Sequence, residues 1–274
     1  MQLSSKYFMC SKVSYALNLK GPCNNIQNAC STSLVAIHNA CRALLTGEAD
    51  MAIAGGATVI AQEHYGYLHE GGMIMSKDGY CRSFDEKSSG FINGEGVGVV
   101  VLKKLKKAIQ DKDYIYGIIK GSACNNDGNN KLGYSAPSLE GITKVVKMAY
   151  NISKVSPENV SFVEAHGSAT KLGDVLEFNA LSKAFNTNKR NYCAISSVKA
   201  NIGHLDAASG IAGFIKALLV VNKRILPPMT NFEKPNHEID FENSPLKIIT
   251  KPFPYEKEEK LIAGVSSLGI GGTN

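Results

Sequence analysis

Three times in this chain a short run that reads as a strand stops at a loop that carries a reactive side chain, and each loop opens into a segment with helical spacing. The first run is Asn24 to Ala29; Cys30 follows, and then Leu34, Val35, Ile37, Cys41, Leu44 and Leu45 recur on one helical face up to Gly47. The second is Val160 to Ala165, followed by His166 in a Gly/Ser/Thr loop and a helix expected from about Val175 to Phe185. The third is Cys193 to Val198, whose loop ends at His204 before a long apolar helix from Asp206 to Asn222. Strands that alternate with helices fit a mainly parallel sheet covered on both faces. Such folds place their chemistry on the loops at the carboxyl ends of the strands.

Further strands are expected at Asp50 to Ile60, at Val97 to Leu102, at Tyr114 to Ser122 and from Leu261 to Ser267. The run from Asp50 is almost continuously apolar, the pattern of a strand buried on both faces. Lys103 to Lys112 reads as a basic helix or turn with a solvated face. Asn125-Asn126-Asp127-Gly128 is a turn, Glu140 to Tyr150 has helical spacing, and Ser156-Pro157-Glu158 opens a short element. Residues 62–95, rich in Gly, Ser and charge, read as an irregular excursion. The first thirty residues lack an opening strand and helix, and the chain stops at Asn274 just after a Gly-rich loop. A strand entering that loop calls for a partner leaving it, so an incomplete domain is expected.

Composition narrows the function classes. Of 274 residues, 44% are hydrophobic and 20% charged, which excludes a disordered or collagen-like chain. The net charge of +6 is spread along the chain, so nucleic acid is not the natural partner and an acidic protein fits equally well. The longest strongly apolar stretch, Ile211 to Val221, is interrupted by Lys216 and falls short of the roughly 20 residues a membrane span needs. Met1-Gln2-Leu3-Ser4-Ser5-Lys6-Tyr7 has no apolar signal core and no cleavage site, so a cytoplasmic protein is expected. Seven cysteines without a C-x-x-C pair argue against a disulfide framework and a structural zinc site.

A thiol at a helix N-terminus faces unpaired N–H groups and the positive end of the helix dipole. Both lower its pKa, so Cys30 is expected to favour the thiolate. The same N–H groups can hold an oxyanion when a thioester is attacked. The position would suit a buried cysteine in a core turn equally well. His166 and His204 could each be a structural, hydrogen-bonded histidine, but two at equivalent strand ends, with Cys30 at a third, point to one site. His38, His64, His69 and His237 have no comparable setting. No carboxylate or second cysteine stands at ligand spacing, so metal binding is the weaker reading. Lys199, Asp174 and Glu177 are either surface charges or a buried network that orients the histidines. Gly264 to Asn274 lacks the Gly-Lys-Ser/Thr ending of a phosphate loop and reads as a tight turn presenting backbone N–H groups.

At this point the motifs gather into a family. Asn28-Ala-Cys30-Ser-Thr-Ser-Leu-Val-Ala, Glu164-Ala-His166-Gly, Lys171-Leu-Gly-Asp174, Ser197-Val-Lys199-Ala-Asn-Ile-Gly-His204 and Gly264-Val-Ser-Ser-Leu-Gly-Ile-Gly-Gly-Thr-Asn resemble signature segments of β-ketoacyl synthases, in particular the ketosynthase domains of modular type I polyketide synthases. Cys81-Arg-Ser-Phe-Asp85, Asn93 to Lys103 and Lys120 to Gly128 resemble further family segments. The resemblance implies a thiolase-like five-layer αβαβα fold of two similar α/β halves, acting as a homodimer. Residues 1–112 would be the remainder of the amino-terminal half with the nucleophile, and residues 113–274 the carboxyl-terminal half with both histidines.

It further implies that Cys30 takes an acyl chain from an acyl carrier protein as a thioester. His166 and His204 would bind the carbonyl of a malonyl thioester as CO2 leaves, and the enolate would attack the Cys30 thioester. The backbone N–H groups of Cys30 and Ile270 would form the oxyanion hole, with Ile270 gating the acyl pocket; Lys199, Asp174 and Glu177 would support the site. No metal or organic cofactor is implied, since the phosphopantetheine arm arrives on the carrier protein. Neighbouring synthase domains such as an acyltransferase are the other implied partners, with no nucleic acid and no membrane. The sequence departs from the family at Ser168 and Ala169, at Leu268 where a Phe is usual, and at Val175 where a Pro is usual. Two other readings remain at this point. One is a truncated ketosynthase-like module that binds acyl groups or carrier protein without condensing. The other is a Cys/His hydrolase or thiolase-type acyltransferase, for which the second loop histidine and Lys199 are unnecessary.

Overall fold

The computed structural model describes residues 5–60, 66–256 and 259–274. Met1 to Ser4 of the amino-terminal stretch, and His64, lie outside the described residues. Seven helices and eight strands are described. The helices are α1 (Met9–Ala16), α2 (Thr32–Thr46), α3 (Leu105–Gln110), α4 (Leu139–Ser153), α5 (Lys171–Phe185), α6 (Lys199–Ile202) and α7 (Ser209–Lys223). The strands are β1 (Met51–Thr58), β2 (Gly96–Lys103), β3 (Phe162–Glu164), β4 (Cys193–Ser196), β5 (Ile225–Leu226), β6 (Leu246–Ile248), β7 (Phe253–Pro254) and β8 (Ala263–Val265). β6, β4, β3 and β8 form one all-parallel sheet in that order. β1 and β2 pair antiparallel from Met51 opposite Lys103 to Thr58 opposite Gly96, and β5 and β7 form a two-residue antiparallel pair.

The periodicities explain the layers. On α5, Phe178, Leu181 and Phe185 recur at helical spacing and pack on one face of the parallel sheet, against Val163, Ile195 and Leu246. Strand residues alternate faces, so Phe162 and Ala194 point the other way, onto Ala217 and Val220 of α7. The opposite side of α7 and the buried face of α2 meet the second sheet, where Ile211 and Ile37 pack with Ala54, Val100 and Leu102. The order is therefore helices α4 and α5, the parallel sheet, helices α2 and α7, and the β1–β2 pair. α2 stops where Gly47 takes a left-handed turn at φ 83°, the conformation glycine adopts without a steric cost.

Three expectations about the strands are corrected. Asn24 to Ala29 is not a strand; a single bridge joins Asn28 to Cys30, because no neighbouring strand offers a ladder. Tyr114 to Ser122 likewise forms no ladder, and Tyr114, Tyr116 and Ile118 are exposed. β1 is not buried on both faces, since Met51 and Ile53 are exposed, and among the described residues nothing covers the outward face of the β1–β2 pair. The residues leaving the Gly-rich loop do find a partner: Thr273 bridges Asn126 antiparallel, and Asn274 and Asn125 exchange both backbone hydrogen bonds at 3.1 and 3.2 Å.

Candidate active site

Cys30 sits in a tight turn before α2, and Ala29 takes φ 47° to make that turn. Its side chain is 6% exposed. Ser267 of the Gly-rich loop donates its hydroxyl to the Cys30 carbonyl at 2.7 Å, and Ser33 of α2 accepts the Ile211 N–H at 2.9 Å. The turn is thus held from the carboxyl side of the chain. The sequence-based expectation of a depressed thiol pKa is corrected. Burial pushes the Cys30 thiol up and the nearby Asp206 carboxylate adds to it; the Ile270 N–H, Lys199 and the Cys30 N–H pull the other way without prevailing. A helix terminus lowers a thiol and burial raises it, so the balance of the two decides the outcome. Ile270, whose N–H is one of these donors, is 49% exposed.

His166 follows β3, and His204 follows α6 and Gly203. Their rings meet edge to face with centroids 5.6 Å apart. Nδ1 of His166 accepts the Leu268 N–H at 3.3 Å, and Nδ1 of His204 accepts the Asp206 N–H at 2.9 Å, with the Ser209 hydroxyl 3.2 Å away. A backbone N–H can only donate, so each neutral ring carries its hydrogen on Nε2. Burial and the Lys199 ammonium keep both rings neutral: His166 is held well below the usual histidine range and His204 is lowered to about 3.

The supporting charges are buried. Glu177 accepts the His166 and Gly167 N–H groups at 2.7 Å each, and Lys199 donates to the His166 carbonyl at 2.6 Å. Asp174 accepts the Phe84 N–H at 2.7 Å and the Ala169 N–H at 3.0 Å. Burial pushes Asp174 up to about 8 against those two donors, raises Glu177, and lowers Lys199 against the pull of the carboxylates around it. All six residues singled out from the sequence for nucleophilic, histidine or network roles therefore fall in one region, together with the Ile270 N–H. The sequence reading missed three further residues. Glu164 is buried, pairs with Lys216 of α7 at 3.0 Å and accepts the Val198 N–H. Gly213 leaves room for it, since a Cβ there would stand 3.2 Å from the Glu164 Cγ. The third is Asp206, whose Oδ1 lies 3.9 Å from the Cys30 Sγ. Glu164 was signalled by strand alternation, which puts it on the face of His166, and Lys216 by its intrusion into an apolar run. Among the described residues no group of three or more His, Cys, Asp and Glu side chains is arranged to hold a metal ion, and no helix is long and apolar enough to cross a membrane.

A buried thiol near backbone donors, in one region with two buried, neutral imidazoles that carry their hydrogen on Nε2, on a layered α/β scaffold, points to the thiolase-like class. Residues 1–108 match the family model for the β-ketoacyl synthase N-terminal domain and residues 116–233 that for its C-terminal domain. The chain belongs to the β-ketoacyl synthase family. It is 44% identical over 274 residues to a component of the phenolphthiocerol/phthiocerol polyketide synthase of Mycobacterium tuberculosis, covering 99% of this chain and 18% of that protein. It is 44% identical over 265 residues to polyketide synthase PksN of Bacillus subtilis, covering 96% of this chain and 5% of that protein. Among solved structures, ketosynthase twelve of the bacillaene polyketide synthase of Bacillus amyloliquefaciens superposes with a TM-score of 0.97 at 40% identity, covering 100% of this chain and 49% of that one. The module 6 ketosynthase of the bacillaene synthase of Bacillus subtilis 168 gives 0.92 at 43% identity, covering 100% and 50%. The fold is the thiolase-like α/β fold of these ketosynthases. The chain spans about half the length of the solved ketosynthases and a small part of the curated synthases.

Proposed function

We propose that this chain carries the chemistry of a β-ketoacyl-[acyl carrier protein] synthase of a polyketide synthase, an acyltransferase that condenses with loss of CO2. The single observation that supports it best is the shared tautomer of His166 and His204, which leaves two Nε2–H donors beside a buried thiol. Cys30 attacks the thioester of an acyl carrier protein, and the N–H groups of Cys30 and Ile270 hold the oxyanion while the pantetheine sulfur departs. A malonyl-carrier thioester then binds. Its carboxylate leaves as CO2, the electron pair of the broken C–C bond enters an enolate, and the enolate oxygen accepts hydrogen bonds from both Nε2–H groups. The enolate carbon attacks the Cys30 thioester, and the Cys30 sulfur departs. Neutral rings suit this step because they donate without holding a proton that would quench the enolate carbon.

Lys199, Asp174 and Glu177 act by positioning the His166 loop, and Ile270 gates the acyl pocket. The phosphopantetheine arm belongs to the carrier protein, so no resident cofactor is needed. The working unit is a cytoplasmic homodimer with acyl carrier protein and neighbouring synthase domains, such as an acyltransferase, as partners.

Mass spectrometry of the intact chain with an acyl-carrier donor, followed by malonyl-carrier protein, tests this reading. The expected result is an acyl mass on Cys30, absent in Cys30→Ala, that is discharged with CO2 release and product. Stable acylation with no CO2 or product would overturn condensation and leave an acyl-binding module.

A further inference from the structure

In the described tautomers neither histidine can act as base toward the Cys30 thiol. Each Nδ1 is already engaged by a backbone N–H, and each Nε2 already bears hydrogen. Burial favours the S–H form of Cys30, so the thiol must lose a proton during acyl transfer. The acceptor within reach is Asp206, whose Oδ1 stands 3.9 Å from the Cys30 Sγ with the thiol as donor. We propose that Asp206 is a further catalytic residue, the general base that takes the Cys30 proton as the acyl thioester arrives and returns it to the departing thiol. The proposal rests on the reading of Cys30 as nucleophile.

Two further observations carry it. Asp206 is exposed while Cys30 is buried, so the carboxylate joins the enclosed sulfur to solvent. Asp206 also takes φ 41°, a left-handed conformation, at the start of the 3-10 turn Asp206–Ala208. That conformation is costly for a residue with a side chain, though least so for Asp and Asn. In this conformation its N–H fixes the His204 tautomer while its carboxylate reaches the thiol. The charged groups that face Cys30 are Asp206 and Lys199; Lys199 and Glu177 face His166, and Lys199 faces His204, whose Nδ1 takes the Asp206 N–H.

The step balances. The Cys30 S–H bond breaks and its proton passes to Oδ1; the sulfur pair forms the new S–C bond; the C–S bond to pantetheine breaks; the pantetheine sulfur takes the proton from Asp206. After condensation Cys30 departs as a thiolate, and the proton that decarboxylation consumes enters from solvent through the same carboxylate.

Two variants test this. Asp206→Asn keeps the shape and the tolerance of left-handed backbone, and Asp206→Gly suits φ 41° outright. For each, acylation of Cys30 by an acyl-pantetheine thioester is timed from about pH 6 to about pH 9, beside alkylation of Cys30 by iodoacetamide. Acylation at about pH 7 should fall about 100-fold, the lower part of the range for general-base catalysis, and should climb with pH. Added formate should restore acylation in Asp206→Gly. Alkylation should hold or quicken, because a negative charge beside the thiol has gone. Acylation within about twofold of wild type, acylation that quickens together with alkylation, or loss of both reactions in both variants without rescue by formate would each overturn the proposal. Failure of the wild-type chain to acquire any label on Cys30 would instead overturn the nucleophile assignment.

Discussion

The two main sheets flank the same central helices, yet they are built on different terms. Every described residue of β3 and β4 is buried, whereas β2 alternates, with Val97, Val99 and Val101 exposed and Val100 and Leu102 packed inward. The difference separates how the reactive groups are held. The histidine loops leave the buried sheet, so strand register fixes where they start. Cys30 is delivered by no strand; its turn is set by Ser267 of the Gly-rich loop and, one residue into α2, by Ser33 bonded to α7. The position of the nucleophile therefore depends on the histidine side of the molecule.

The largest way to break the comparison is to hollow out the buried sheet. Phe162 is fully buried between β4 and α7. Phe162→Ala should destabilise the chain by about 3–5 kcal/mol, read as the shift of the urea midpoint. It should also slow acylation of Cys30, although Phe162 does not touch the thiol, because the loops that support the Cys30 turn start from this sheet. A loss under about 1 kcal/mol would show that the parallel sheet is not the anchor described.

A smaller effect tests the charges under that sheet. Asp174 ionises at about 8 in the fold against 3.8 ordinarily, so between those values the folded chain holds a proton that the unfolded chain has released. Stability from this group is complete below 3.8 and is lost as pH rises through 8. His204 has the opposite sign: with about 3 in the fold against 6.5 ordinarily, its contribution is lost as pH falls from 6.5 towards 3. The two slopes oppose each other between 3.8 and 6.5, and above 6.5 Asp174 contributes a falling limb to which the raised Glu177 adds and which the lowered Lys199 opposes. In Asp174→Asn the stability read from the urea midpoint should lose the Asp174 share of that slope, about 2 kcal/mol between pH 6.5 and 8 at roughly 1.4 kcal/mol per unit. An unchanged slope in the variant would mean that Asp174 is ionised in the fold.

The same contrast explains what could be read from the sequence. Motifs that lie at the ends of buried strands were legible, since Glu164-Ala-His166 and Ser197 to His204 follow apolar runs whose period and length fix their place. The helix boundaries at Gly47 and at Asn222 or Lys223 followed from turn chemistry and spacing. Tyr114 to Ser122 forms no strand because β-branched and apolar residues supply the side chains of a strand but not its partner, and Asn24 to Ala29, with four amide side chains in six residues, lacks even that pattern. The thiol pKa was misjudged for a related reason: local position supplies the helix dipole, but burial by α7 and the Gly-rich loop comes from segments far away in the chain. Asp206 was hidden as an ordinary helix start; only its backbone conformation and its reach to Cys30 distinguish it.

The smallest expected effect lies on the other sheet. Val99 points outward from β2 and is 54% exposed. Threonine has nearly the same shape and retains the β-branch that favours a strand. Val99→Thr should therefore change stability by less than about 0.5 kcal/mol, with acylation of Cys30 unchanged, because the inward residues Val100 and Leu102 keep their contacts with the central helices. A cost above about 1 kcal/mol would mean that the added hydroxyl is buried without a partner. The outward face of β2 would then be covered in solution, and the contrast between the two sheets would be one of partners rather than of construction.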